Sequence, residues 1–416
     1  MVSLRQRPLT DKLILTLLSL VMLFPAVDYI LRNKLPIPYL ASLWHNLALL
    51  ALLAFVGIKI VFKAPERRSK ISGAIGVLML AGLAYTVLNV VDFGVNLEGF
   101  RAMFQYMLFF FAGFYLLDNN EDVKFLLSLA VVLGTAMALH GIYQYATHAT
   151  MPAGWVDVGE AKRTRAFSIL TSPNVFGSQL AFLTSIAAGL AAAEKAWAKK
   201  LLWLAAAGIL GVGLIATGSR GAWLALAGGM AVIGIVYDRR LLFAGIAAAV
   251  LIAFFVPSVS ARITYLFTPE YMEKSAGSGR IKRWLDAYDQ MRLEPLFGAG
   301  LGHYGGAVAS RNFNVPYVDN YYMKTLAETG LLGLSLFLWL IYTSLRQSYK
   351  AWQLLTDPRW RSLAAGLFGG LMAIAFHNAV ENIFEVPFLN IYFWLAMGLL
   401  AGMPYNHHAA GGVKHE

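Results

Sequence analysis

Three short arginine motifs carry the clearest chemical signal in the chain. They are Arg163-Thr164-Arg165, followed by Pro173-Asn174; Gly218-Ser219-Arg220-Gly221; and Ser278-Gly279-Arg280-Ile281-Lys282-Arg283-Trp284. A guanidinium stays charged at any working pH and grips phosphate oxygens through two parallel N–H donors. Arg163 and Arg165 suit either an anionic ligand or lipid headgroups. The small residues around Arg220 leave room for a ligand, or let that arginine snorkel from a turn. In the third motif Arg280, Arg283 and Trp284 share a helix face by i, i+3, i+4 spacing, while Lys282 and Asp286 form an ordinary pair on another face.

A second group could move protons or orient hydroxyls. Asp319 comes just before Asn320 and Tyr321, where a long hydrophilic stretch returns to an apolar run. A carboxylate there acts as a general base or simply caps the next helix. Glu328 follows about two helical turns deeper, where an ionisable group in an apolar helix usually has a partner and a role. His377 and Glu381 are one turn apart, with Asn378 between them and Glu385 beyond; a structural hydrogen bond fits them as well as catalysis does. The run Pro295-Leu296-Phe297-Gly298-Ala299-Gly300-Leu301-Gly302, next to His303, has glycines spaced as in a nucleotide loop. No strand precedes it and no proper helix follows, so that reading fails. The histidines are scattered and no acidic cluster has Mg²⁺-like spacing, so no metal site and no cofactor are expected. The chain has no cysteine, which removes disulfides, thiolate nucleophiles and cysteine-based zinc sites.

These residues need elements to carry them, and composition says which. The 416 residues are 58% hydrophobic and 14% charged, against about 45–50% and about 25% in soluble domains. Lipid must solvate most of such a surface. The fold class expected is an all-α integral membrane protein of about twelve transmembrane helices (roughly 10–13), with one large extracytoplasmic loop containing short helices. N-terminal spans occupy residues 1–146, and central spans with an arginine-bearing outer loop occupy 147–256. The large outer loop covers 257–322, and C-terminal spans with a short cytoplasmic tail cover 323–416. The basic start at Arg5, Arg7 and Lys12 lacks a small-residue cleavage site and reads as a retained first helix.

Lysine and arginine set the orientation. With a cytoplasmic N-terminus, the inner connections hold Lys63, Arg67, Arg68 and Lys70, then Lys195, Lys199 and Lys200, then Arg239 and Arg240, then Arg346, Lys350, Arg359 and Arg361. That accounts for much of the net charge of +11, so nucleic acid is not an expected partner. Two outer segments are also basic: residues 147–173, and residues 257–322 with Arg262, Lys274, Arg280, Lys282, Arg283, Arg292 and Arg311. Long loops escape the positive-inside rule, but their charge still suggests an anionic ligand beside the membrane.

At these motifs the chain resembles the O-antigen ligase/polymerase superfamily. The resemblance rests on Arg165…Pro173-Asn174, Ser219-Arg220-Gly221-Ala222, Gly279-Arg280…Trp284, Pro295-Leu296-Phe297-Gly298…Gly302, and Asn320-Tyr321…Glu328-Thr329-Gly330…Gly333. Each motif is short; their order and spacing across about Arg163–Gly333 are specific. The resemblance implies a metal-independent glycosyltransferase of the bacterial inner membrane, active on its periplasmic face. It would take a glycan from an undecaprenyl-diphosphate carrier and pass it to a glycan or lipid-linked acceptor, among membrane lipids and with a chain-length regulator as a further partner. Arg165, Arg220 and Arg280 would bind the diphosphate, with Arg283 and Arg163 in second rank. Family members often carry a histidine before the motif's asparagine; here that position is Asp319, which puts the base role on Asp319, His303 or His377. Asn320, Trp284, Tyr321, His303, His377 and Glu381 are the candidate acceptor contacts. The departure favours a polymerase of surface-polysaccharide repeat units. The alternatives are an O-antigen ligase acting on lipid A-core, an O-linked protein glycosyltransferase and, from another class, a lipid-linked sugar transporter.

Overall fold

The computed structural model describes residues 7–35, 37–63, 67–88, 92–152 and 164–410, and every regular element among them is a helix. In lipid each backbone polar group must be satisfied within its own segment, which long apolar runs achieve by coiling. The first expected span is bent: α1 (Leu9–Met22) and α2 (Phe24–Asn33) meet at 74°. Pro25 opens α2, and a proline removes a helical donor and clashes with the preceding turn. Next come α3 (Pro38–Lys63) and α4 (Lys70–Leu88). The expected span near 102–117 is broken into α5 (Phe93–Phe104), a tight turn at Gln105–Leu108 and α6 (Phe109–Tyr115).

The central helices are α7 (Asn120–Ala146), α8 (Pro173–Ala193), α9 (Trp197–Ala216), α10 (Arg220–Val236) and α11 (Arg239–Phe255). The long connection holds four short helices: α12 (Pro257–Tyr265), α13 (Pro269–Gly277), α14 (Arg280–Leu293) and α15 (Ala307–Phe313). The chain then forms α16 (Tyr321–Leu354), α17 (Pro358–His377) and α18 (Pro387–Gly402). Among the described residues seven helices are long and apolar enough to cross a membrane, or up to nine if each bent pair is one span. The expectation of about twelve had also counted the broken 102–117 run, α10 and α17. The first lacks a continuous helix, α10 has 17 residues, and α17 begins with Arg359 and Arg361.

Leu80, Leu224, Phe254 and Phe255 face outward from their helices. Apolar side chains on that perimeter identify the solvent as lipid, and the protein as a multi-pass membrane protein. Inside, glycines let backbones touch: a Cβ on Gly366 of α17 would lie 2.6 Å from Gly189 Cα of α8, and one on Gly113 of α6 2.4 Å from the Leu395 carbonyl of α18. Such contacts are how membrane helices associate without a hydrophobic drive between them. One end of the bundle is tied by ion pairs: Arg7–Asp122 at 2.7 Å, Lys59–Asp118 at 2.7 Å, Arg359–Glu121 at 2.7 Å, and Lys124–Glu194.

The other end carries the long connection, and α16 anchors it. Gly330 inside α16 has φ +63°, which only glycine adopts freely. The break exchanges helical hydrogen bonds for bonds to the Pro295–Gly302 run. Ala299 and Gly300 N–H donate to the Ala327 and Glu328 carbonyls (2.9 Å each), and Leu331 N–H donates to Pro295 O at 2.9 Å. The glycine-rich run is therefore a backbone clamp on a broken helix. A Cβ on Gly298 would meet the Glu328 carbonyl carbon at 2.5 Å.

Candidate active site

Three helix N-termini converge where the arginine motifs were read. Pro173 sits in the first turn of α8, and Ser172 caps that helix by accepting from Val175 N–H. Asn174 then projects from the first turn. The segment before it is pinned to the end of α9, with Ala166 N–H donating to the Ala216 carbonyl at 2.9 Å. Gln144 holds the same segment through Ser168 N–H (2.7 Å). Arg165 is thereby fixed: its Nε donates to Thr217 O at 2.8 Å and its Nη2 to Asn174 Oδ1 at 2.7 Å.

Arg220 and Arg280 are the first residues of α10 and α14. A cation at a helix N-terminus opposes the helix dipole, so as surface decoration the placement would be unfavourable. Beside an anion the dipole and the guanidinium act together. Gly218, with φ +60°, makes the turn that aims Arg220, and a Cβ there would lie 2.8 Å from Arg262 Nε. Arg220 donates to Arg262 O at 3.2 Å and lies over the Tyr271 ring at 5.0 Å and the Tyr265 ring at 5.9 Å. Arg280 Nη2 donates to Glu381 Oε2 at 3.3 Å, and its Nε is 4.0 Å from Asp319 Oδ2. Arg283, one turn along α14, donates to the same Asp319 oxygen at 2.7 Å.

These groups surround a cavity of about 460 Å³. Its wall presents the cations of Arg165, Arg220, Arg262, Lys274, Arg280 and Arg283, with Asp319 as the carboxylate among them. Glu381 stands behind the wall, its Oε2 accepting from Asn174 Nδ2 at 2.6 Å as well as from Arg280. Burial pushes the Glu381 carboxyl up to about 7, and Asp319 adds to that while Arg280 opposes it. Burial also raises Asp319 above the ordinary carboxylate range, against the pull of Arg280 and Arg283. A carboxyl that titrates near neutrality can take up or release a proton under working conditions.

Asp319 does not cap α16. That role belongs to Asn320, whose Oδ1 accepts from Tyr322 and Met323 N–H at 3.0 and 3.1 Å. Asp319 instead has φ +55°, a strained conformation for a residue other than glycine, and it turns the carboxylate onto the arginines.

Other sequence candidates lie away from the cavity wall. Trp284 packs with Ala287, Val318 and Ala327. Tyr321 is buried against Phe337 and Phe384. His303 Nε2 faces Asp92 at 3.3 Å, and His377 is buried behind Gly221. Arg163 lies outside the described residues. Glu328 has the partner expected of it, Lys324 at 2.5 Å, and that lysine also meets Glu385 at 3.1 Å. Sequence reasoning did not single out Arg262, Lys274, Tyr265 or Tyr271 for the site. The signal available was the one-turn spacing of Arg262 and Tyr265 on α12, which places both on one face.

Comparison with known families adds to this geometry: the family model described as O-antigen ligase matches residues 204–338. That segment of the chain is similar to the O-antigen ligase family. The match runs from α9 into α16 and spans Arg220, Arg262, Arg280, Arg283 and Asp319; Arg165 and Asn174 reach the cavity from outside the matched segment, as does Glu381 behind the wall. The match supports the O-antigen ligase/polymerase superfamily and a glycosyltransferase-type membrane enzyme. No curated protein matches the chain.

Proposed function

We propose that the protein moves a glycan from an undecaprenyl-diphosphate carrier to a sugar hydroxyl on the outer, periplasmic face of the bacterial inner membrane, polymerising surface-polysaccharide repeat units. The observation that carries this reading is the cavity wall, with six cations and one carboxylate around about 460 Å³. In the transfer the bond between the anomeric carbon and the diphosphate oxygen breaks, and its electron pair leaves with the diphosphate. Arg165, Arg220 and Arg280, with Arg283 beside them, stabilise that growing charge from fixed positions, so no reorganisation is needed as the bond opens. The acceptor oxygen forms the new bond to the anomeric carbon, and its proton passes to Asp319. Glu381 holds Arg280 and Asn174 in register. Guanidinium groups supply the cationic charge that a metal ion supplies to diphosphates elsewhere, so the reaction is proposed to be metal-independent.

The test is transfer in vitro from a purified undecaprenyl-diphosphate-linked repeat unit, with and without EDTA. Product forms in both cases, and Arg220→Ala or Arg280→Ala lowers turnover by about 10²–10³-fold, as loss of one preorganised donor does elsewhere. Wild-type turnover in either variant would sink the diphosphate assignment, and loss of product in EDTA would sink metal independence. The description of the matching family favours a second reading, ligation of finished glycan to a lipid-borne core. The same assay separates the two: a polymerase lengthens the lipid-linked repeat unit alone, whereas a ligase needs the core acceptor.

A further inference from the structure

A second cavity, of about 410 Å³, opens between α3, α5 and α15. We infer that it is a saccharide-binding site that seats the acceptor glycan; the word acceptor rests on the transfer reading above, while the saccharide chemistry does not. Its volume falls within the roughly 300–1,000 Å³ of ordinary ligand pockets. Its charge differs from that of the first cavity. Arg101 and Arg311 are balanced on the wall by Glu98 and Glu385, and Arg311 donates to Glu98 at 2.7 Å. A net anion gains little in such a place. A neutral ligand rich in hydroxyls gains much, because carboxylates, guanidiniums and amides all hydrogen-bond to it.

Two features show a built site. Asn46 and Gln105 present paired amides, Gln105 Nε2 donating to Asn46 Oδ1. His45, also on the wall, is 8% exposed, and its Nδ1 is buried with no hydrogen-bond partner. An unsatisfied buried polar atom is costly, and a bound group can remove that cost. A sugar hydroxyl both donates and accepts, so it satisfies either tautomer of that ring. Glu385 is fixed in advance, accepting from Ala307 N–H at 2.9 Å and lying 3.1 Å from Lys324 Nζ. This also accounts for the buried Lys324–Glu328–Glu385 group, which the transfer chemistry leaves unused: it sets one wall of the second cavity.

The two cavities are joined through one short connection. Glu381 bonds to Arg280 and Asn174 on the first wall, and Glu385, four residues later, stands on the second. A glycan seated by Glu385 therefore lies one connection away from the diphosphate position.

The test uses the full chain in lipid nanodiscs and two probes, each followed by calorimetry. One is inorganic diphosphate; the other is the oligosaccharide that mild acid releases from the lipid-linked glycans of the source cells. The wild-type protein binds both. Gln105→Ala and Arg311→Ala each weaken the oligosaccharide about tenfold, the loss of one charged or paired hydrogen bond, and leave diphosphate unchanged. Arg220→Ala does the reverse. Arg311 is exposed, so its variant remains informative if the Gln105 variant folds poorly. Oligosaccharide affinity unchanged in the Arg311 variant, or no oligosaccharide binding by the wild type, overturns the second site. Oligosaccharide binding that is intact and sensitive to Arg311→Ala, with no diphosphate binding, supports the second site and overturns the donor assignment alone.

Discussion

The two ends of the bundle are both rich in lysine and arginine, and they use that charge in opposite ways. At one end Arg7, Lys59, Lys124 and Arg359 each meet an acid of another segment, in a helix or just beyond a helix end. There the charge ties helix ends together and is matched as it is placed. At the other end the wall of the first cavity sets six cations around Asp319, and two of them open helices whose dipoles add to the same positive field. The same residue types are latches where acids lie opposite and a binding surface where helix N-termini lie opposite. Net charge therefore says little here; the immediate neighbours decide.

The comparison can be broken in several ways. The largest effect is expected at the site end: Asp319→Asn keeps the shape and removes the proton acceptor, so turnover should fall by about 10²–10⁴-fold. Near-normal turnover would reduce Asp319 to a tether for Arg283. Next comes Lys324→Met, which leaves Glu328 and Glu385 buried without their cation and should cost about 3–5 kcal/mol. Thermal unfolding in detergent would register it, and an unchanged midpoint would mean that this group does not support the fold.

A smaller effect concerns pH. The folded Glu381 carboxyl sits at about 7 against an ordinary 4.5. Between those values the folded protein binds more protons at this group than the unfolded chain, so the contribution of Glu381 to stability is greatest below pH 4.5 and declines as pH rises towards 7. Glu381→Gln should remove this group's share of that slope, and an unaltered slope would assign it elsewhere. Smallest is Arg359→Ala at the latch end, a part-buried pair near the helix ends whose loss should cost about 0–1 kcal/mol. Turnover in this variant should match the wild type. A turnover loss as large as that of Arg220→Ala would erase the distinction between the ends.

Much of the site was legible because arginine beside glycine and serine at the edge of an apolar run has few uses. Arg165, Arg220, Arg280 and Arg283 do line one cavity. Asp319 was ambiguous for a physical reason: a carboxylate before a helix reads as a cap, and only the geometry gives that task to Asn320. Glu381 was visible as a polar residue near His377, yet its link to Arg280 spans 101 residues, beyond any local pattern. The glycine-rich run was rightly separated from nucleotide loops, but its work as a clamp on the broken α16 depends on hydrogen bonds between distant segments. Span counting overreached where apolar length hid a break, as at Gln105–Leu108.

Composition and residue type by themselves determined that the chain lives in lipid, that it is helical, and that its charge gathers in the connections. Those properties follow from solvent and backbone chemistry, which act residue by residue. Only the tertiary structure decided which cations share a cavity, which are matched by acids, and which carboxyl is pushed towards neutrality. Those properties depend on burial and on neighbours a few ångströms away, and packing brings such neighbours together from any distance along the chain.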